Sequence, residues 1–282
     1  MVKMKRVTII RVIGEEQKCR ELLYEPFKAF IPRECSRYNY TGGQLNLPLT
    51  SDSTELFVAL EIAQKNNIDY TLFSEVRYTS KEVESCEYYL MRILSPLESE
   101  GTNAADYGTQ YRGKCVSCGV GGEVDGPVLI DRKLLNKRNW DIGNLRPHIY
   151  VTEKLRKIFV QNDFSGISFD HEVLDYRGRE MKKNYVLSIH NILPKMDETT
   201  WLFPNGIPCK ECGYQSFYLR SDIQYHKNKL QNAKDFNLTL ELVDAFRQPE
   251  IVVSSRVRRI CKENKIYAGF TPITIVNGES AR

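Results

Sequence analysis

The chain has 282 residues, 41% hydrophobic and 27% charged, enough apolar material for one large core or two modest ones; a disordered, collagenous or fibrous protein is excluded. Its 40 Lys and Arg against 36 Asp and Glu leave a net charge of +4, a weak long-range field for a polyanion. Eight cysteines fall short of a disulfide scaffold, no apolar secretory leader follows Met1–Arg6, and no apolar run approaches the roughly 20 residues of a membrane span, so a reducing cytoplasm is the expected address.

Val7–Val12 is rich in β-branched residues and reads as a first strand, whereas Glu21–Tyr40 mixes aromatics, proline and charge without a period and stays unassigned. Asp52 with Glu55 three residues later forms a capping box ahead of Leu56, Phe57, Leu60 and Ala63, predicting a helix that stops at Asn66-Asn67. Tyr70–Tyr78 reads as a strand. Thr79 and Glu82 form a second box, predicting a helix whose Val83, Cys86, Leu90 and Ile93 share one face until Pro96. The small and acidic residues of Glu98–Thr109 suggest a connection, so the expected domains are an N-terminal α/β region, 1–108, and a second domain, 109–282.

The second domain carries an internal resemblance. Val151–Ile158 matches Val253–Ile260 in residue type at seven of eight positions with an offset of 102, only Glu153 against Ser255 breaking the match. Each segment begins with a capping hydroxyl, continues with an apolar face (Leu155, Ile158, Phe159; Val257, Ile260, Cys261) and reaches Gly166 or Gly269 before a strand-like run. Each is preceded by Cys-x-x-Cys-Gly, at Cys115–Gly119 and Cys209–Gly213, with an offset of 94. The expected fold class is α+β: an N-terminal α/β segment, then two pseudo-repeated halves, knuckle–helix–strand, joined by a split zinc ribbon of four cysteines.

Cys115, Cys118, Cys209 and Cys212 are the candidate metal ligands. A tetrahedral Zn²⁺ takes four thiolates at about 2.3 Å, and each Cys-x-x-Cys turn presents two of them. The glycine after each second cysteine suits an exit with positive φ, and Lys114 and Lys210 are placed to offset thiolate charge. The pairs are 90 residues apart, 119 to 208, against roughly 15–20 in an ordinary ribbon, a gap explained if each half donates one knuckle. A pair of redox dithiols and an iron–sulfur centre are the competing readings. A closed shell of four cysteines leaves no position for water, so such zinc is structural. Cys19, Cys35, Cys86 and Cys261 are isolated and read as filler.

No catalytic constellation appears. His148, His171, His190 and His226 are unpaired with ligands at helical spacing, and there is no phosphate-binding, dinucleotide-binding or nucleophile-elbow motif; Gly119–Gly126 lacks the lysine and the preceding apolar strand. Asp170-His171-Glu172 and Asp197-Glu198 read as solvated surface. Lys154, Arg156, Lys157 and Arg256, Arg258, Arg259 could form a basic stripe, yet positions i and i+2 do not share a helical face, which disfavours nucleic acid as a partner. Tyr214, Phe217 and Tyr218, just beyond the second knuckle, suit either packing beneath a metal or contact with a partner.

Two Cys-x-x-Cys-Gly knuckles about 90 residues apart, each followed by a Val-Ser/Thr-x-x-Leu/Val helix, a glycine and a strand, resemble the bacterial double-CXXCG motif proteins. The resemblance covers roughly residues 70–282 and leaves 1–69 unmatched; neither knuckle has the proline commonly seen between the cysteines, since Val116-Ser117 and Lys210-Glu211 stand there. It implies a cytoplasmic, non-enzymatic immunity protein that binds and neutralises a cognate toxin, with Cys115, Cys118, Cys209 and Cys212 on a structural zinc and no catalytic residues. A zinc-ribbon nucleic-acid-binding or regulatory protein is the alternative.

Overall fold

The computed structural model describes residues 5–13, 16–32, 44–51, 53–94, 107–136, 141–145, 147–243 and 248–276. These form an α+β protein of two compact units: Met1–Ser85 with Glu198–Leu202 and Leu219–Ile223, and Cys86–Asp197 with Phe203–Tyr218 and Gln224–Arg282. The chain thus changes unit at Ser85, ahead of the 108 boundary suggested by the composition of Glu98–Thr109, most of which lies outside the described residues.

In the first unit, β1 (Lys5–Ile13) is the middle of a three-stranded antiparallel sheet. Its partners are β2 (Gln44–Thr50) and, after helix α3 (Thr54–Lys65), β3 (Tyr70–Arg77). Leu45, Leu47 and Leu49 alternate inward from β2 and meet Leu56, Ala59 and Ala63 of α3 in one core, with Ile10 and Val12 of β1. Each buried leucine there is worth about 1.5–3 kcal/mol. Asp52 lies outside the described residues; the helix is capped by Ser53, whose Oγ accepts the Leu56 N–H at 3.2 Å. Phe57, expected on the apolar face, is 64% exposed.

The stretch without a period is helical but changes pitch: α1 (Glu16–Cys19), a π turn Arg20–Tyr24, α2 (Glu25–Phe27) and a 3-10 turn Lys28–Phe30. Leu23 and Phe27 are buried, and the π turn with Pro26 breaks the 3.6-residue spacing that would have marked a helix; residues 33–40 lie outside the described residues. The second capping box forms, Glu82 accepting the Thr79 N–H at 2.7 Å, but its helix α4 ends after Ser80–Ser85. Leu90 and Ile93 instead belong to β4 (Tyr88–Ile93), and Pro96 lies outside the described residues. Tyr89, Leu90 and Met91 are all buried because β4 is an interior strand covered on both faces, so its apolar run mimics a helix face.

The second unit contains two successions of elements in the same order. The first starts with a small hairpin, β5 (Tyr111–Arg112) and β6 (Glu123–Val124). It continues through β7 (Val128–Ile130), α5 (Arg132–Asn136), β8 (Ile142–Leu145), β9 (His148–Thr152), α6 (Glu153–Gln161), β10 (Ile167–Ser168) and β11 (Val173–Asp175). After β12 (Asn184–Ile189) comes the strand pair β13 (Leu202–Asn205) and β14 (Ser216–Leu219). Then follow β15 (Gln224–His226), a 3-10 turn Lys227–Leu230, β16 (Phe236–Val243), β17 (Gln248–Ser254), α7 (Ser255–Glu263), β18 (Ala268–Pro272) and β19 (Thr274–Val276). The sheets run β10-β12-β9-β8 and β13-β14-β16-β17-β4-β18. Two parallel pairs recur, β7 with β11 and β15 with β19.

Helices α6 and α7 are built alike in detail. Thr152 and Ser254 cap them, each side chain accepting the N–H three residues on at 3.4 Å. Each cap hydroxyl also reaches an aspartate, Thr152 to Asp141 at 3.2 Å and Ser254 to Asp235 at 2.8 Å, and a cation two residues on shares that aspartate: Lys154 at 2.8 Å, Arg256 at 3.4 Å. Both helices end on an asparagine, Asn162 or Asn264, whose side chain donates to a carbonyl four residues back, followed by Asp163 or Lys265 with φ of 49° and 56°. The glycines differ. Gly166 takes φ +88° and a Cβ there would collide with the Phe236 carbonyl oxygen, whereas Gly269 lies within β18 opposite Arg92. The expected glycine turn therefore exists only in the first succession; Asp163 and Lys265 supply the left-handed residue that ends α6 and α7 alike, so the two differ at the glycines and not at the helix ends.

Candidate metal centre

Each knuckle sits at the end of a strand pair, Cys115–Gly119 between β5 and β6, Cys209–Gly213 between β13 and β14. Within each, the glycine N–H donates to the first cysteine's carbonyl, at 2.9 Å for Gly119 and 2.8 Å for Gly213, and both glycines have φ of 70°. The chain re-enters its strand through Val120 and Tyr214, whose carbonyls accept the N–H of Cys115 at 3.0 Å and of Cys209 at 2.9 Å. Two tight loops thus present two sulfurs apiece.

The tertiary structure brings all four expected ligands together. The sulfurs of Cys115, Cys118, Cys209 and Cys212 lie within 4.8 Å of one another. The shortest approaches cross from one knuckle to the other, Cys115 to Cys209 at 3.8 Å and Cys118 to Cys212 at 3.5 Å. A tetrahedral ion with bonds of about 2.3 Å requires sulfurs about 3.8 Å apart, so the donor set fits a single ion. Among the described residues no cysteine is held in a disulfide. Glu211 ties the loops as well: its Oε2 accepts the Ser117 N–H at 3.3 Å and lies 3.6 Å from the Cys115 sulfur.

Electrostatics favour a cation here. N–H groups of Cys212 and Glu211 aim at the Cys209 sulfur and hold its thiol down to about 6. The Tyr214 N–H favours the Cys212 thiolate too, yet burial and the neighbouring thiols Cys118, Cys209 and Cys115 push that group up to about 12. Four sulfurs this close cannot all carry charge in the absence of a cation among them. Lys114, expected to offset that charge, has its Nζ 4.8 Å over the Tyr111 ring.

The histidines and acids fall elsewhere. His148 is buried, stacks on Tyr111 at 5.9 Å and has its Nε2 2.9 Å from the Tyr111 hydroxyl. Burial, with a contribution from His171, lowers His148 to about 4, and burial raises Tyr111 to about 12, so the neutral ring accepts from the phenol. Asp197, expected on a solvated turn, is instead 8% exposed and sits 2.6 Å from His226 Nε2. Sequence spacing could not reveal that pair, because 28 residues lie between the partners, whose segments meet where the Asp197 N–H donates to the Gln224 carbonyl at 2.9 Å. Both side chains are largely enclosed, so the pair is an interior contact and not a solvated surface. Asp170 and Glu172 are exposed, as expected for surface.

The basic triplets are largely engaged. Arg258 is 5% exposed with its guanidinium 4.8 Å over Tyr89, Arg156 lies 4.6 Å over Tyr185, and Lys157 pairs with Glu153 at 3.0 Å. Arg256 donates to the Asn162 carbonyl. Cys19 and Cys261 are buried, Cys86 is half-buried off the helix, and Cys35 lies outside the described residues. Among the described residues no helix is long and apolar enough to cross a membrane. No protein-family model matches the chain, and no curated protein matches it.

Proposed function

We propose that this chain is a non-catalytic binding protein that neutralises a cognate toxin, its second unit being two pseudo-repeated halves clamped by one structural zinc ion. The observation that carries the metal is the convergence of four sulfurs from two knuckles within 4.8 Å. One ion fits that spacing, whereas an iron–sulfur cluster would hold its cysteines farther apart. A redox dithiol would stand at a strand end opening a helix, and these knuckles lie between paired strands.

Binding is supported by what surrounds the knuckles. Val116 is 96% exposed and Ile207 79%, and Phe203, Tyr214 and Tyr218 are exposed too. Val116, Ile207 and Tyr214 flank the cysteines in sequence, so a metal that orders the loops also orders them. Aromatic anchors of this kind carry most of the energy of a protein interface. A toxin as the partner rests on the resemblance of the paired Cys-x-x-Cys-Gly knuckles to immunity proteins. A nucleic-acid surface is disfavoured by the burial of Arg258 and the pairing of Lys154, Lys157 and Arg256.

Two measurements test this. Metal analysis of the purified chain is expected to give one zinc per molecule. Co-expression with the product of the adjacent gene is expected to relieve the growth arrest which that product causes; persistent arrest with folded, zinc-loaded protein present overturns the toxin assignment.

A further inference from the structure

The two strands that precede the knuckles are exchanged between the sheets. β4 comes before the first knuckle, yet it lies between β17 and β18 of the second succession. β12 comes before the second knuckle and lies between β9 and β10 of the first. The two insertions match position by position. Tyr88 faces the cap Ser254 and Asn184 faces the cap Thr152; Tyr89 faces Val253 and Tyr185 faces Val151. Ile93 and Ile189 close the other edge, on Ala268 and Ile167. Tyr88 to Asn184 and Ile93 to Ile189 are both 96 positions apart.

The anchoring contacts recur too. The carbonyl of Glu87 accepts the Ser255 N–H at 2.8 Å, and that of Lys183 accepts the Glu153 N–H at 2.9 Å, so the residue before each strand ties to the first turn of the other succession's helix. Arg258 covers Tyr89 and Arg156 covers Tyr185. From β4 the chain must return to β7 of its own succession, and it does so through Cys115–Gly119; from β12 it returns to β15 through Cys209–Gly213. The four sulfurs therefore meet on the two return connections.

We infer that the four-cysteine centre is the latch of a reciprocal strand exchange: an ion bound by Cys115, Cys118, Cys209 and Cys212 pins both crossings, and so holds β4 and β12 in each other's sheets. The inference rests on the metal assignment above. By linkage, whatever loosens either strand must weaken the metal, and removal of metal must loosen both strands together.

Native-state amide exchange on the full chain, zinc-loaded and after chelation, tests the latch. Removing zinc is expected to speed exchange about tenfold or more in both β4 and β12, while the parallel pair β15–β19, which involves neither strand, keeps its protection. Equal loss throughout the second unit, or a change confined to the knuckle loops, overturns it. Competition with a chromophoric chelator gives an independent readout: Leu90→Ala and Val186→Ala, each truncating a buried side chain of an exchanged strand, are expected to lower zinc affinity about tenfold, and Leu230→Ala in the 3-10 turn Lys227–Leu230, a buried position outside both strands, to leave it unchanged. Unchanged affinity in the first two, or an equal loss in Leu230→Ala, overturns the latch while the metal assignment stands. A chain that binds no zinc overturns both.

Discussion

The two successions of the second unit share their element order, their helix caps and their aspartate clasps, yet they differ where burial is deepest. β7 is Val128-Leu129-Ile130; β15, at the same place in the order, is Gln224-Tyr225-His226. Val128 and Ile130 are fully buried in an apolar cluster with Tyr150 and Val186, whereas Gln224 and Tyr225 are buried in polar company. There His226 pairs with Asp197, and the Met196 N–H donates to Glu241 at 2.9 Å, while Tyr225 Oη, His226 Nδ1 and Glu241 Oε2 have no hydrogen-bond partner among the described residues. One backbone plan thus tolerates an apolar strand in one place and an imperfectly satisfied polar one in another. Such groups cost about 1–3 kcal/mol each when buried without a partner, and the first succession carries them too, at Tyr150 Oη and Arg156 Nε among the described residues.

A metal held by the four cysteines would join the two, and its removal is the largest perturbation proposed. Structural zinc in small domains contributes roughly 10–16 kcal/mol of apparent binding energy. Cys209→Ser, or chelation, is expected to lower the melting transition of the second unit by about 10 °C or more and to leave that of the first unit in place, checked by calorimetry. Equal loss in both units would undo the assignment of the metal to one of them.

The two glycines come next in size. Gly166→Ala must relieve both a left-handed φ and a collision with the Phe236 carbonyl, and is expected to cost about 3 kcal/mol; Gly269→Ala meets only ordinary contacts at 3.6 Å and is expected to cost under about 1 kcal/mol. Denaturant midpoints of the pair decide it, and similar values would restore the equivalence that sequence suggests.

Acid should act through the first succession. His148 has its pKa at about 4 when folded and near 6.5 when unfolded, so between those values the unfolded chain binds the extra proton. Its contribution is whole above pH 6.5, shrinks as pH falls to 4 and amounts to about 3 kcal/mol. The position 102 further on is Glu250, a carboxylate where the first succession has an imidazole. His148→Gln is expected to flatten the acid limb of a stability-against-pH curve measured by urea denaturation.

Truncating the caps is expected to give the smallest change. Thr152→Ala and Ser254→Ala each remove one N–H acceptor and one aspartate contact, and about 1 kcal/mol of stability apiece is the expected loss. Unequal losses would show that the two helices, alike in geometry, are not alike in energy.

Local chemistry was legible wherever a pattern needed only its neighbours. The β-branched run of β1, the strand Tyr70–Arg77, the box of Thr79 and Glu82, the capping hydroxyls Thr152 and Ser254 and the positive-φ glycines of both knuckles were all written in short spans. The four ligands could be named because Cys-x-x-Cys-Gly is a local turn with its own geometry. What failed was local pattern with non-local burial: Tyr88–Ile93 carries a helix-like apolar spacing but is a strand, since β17 and β18 flank it on both sides.

Which residues could ligate, cap or turn was readable in the chain alone, because those properties belong to a side chain and its nearest neighbours. Folding in three dimensions was needed to establish that the sulfurs of 115 and 118 meet those of 209 and 212, that His226 finds Asp197, and that β4 and β12 lie in each other's sheets. Each of these closes a long loop, and the chain entropy so lost is offset only by contacts that exist once the whole unit has packed.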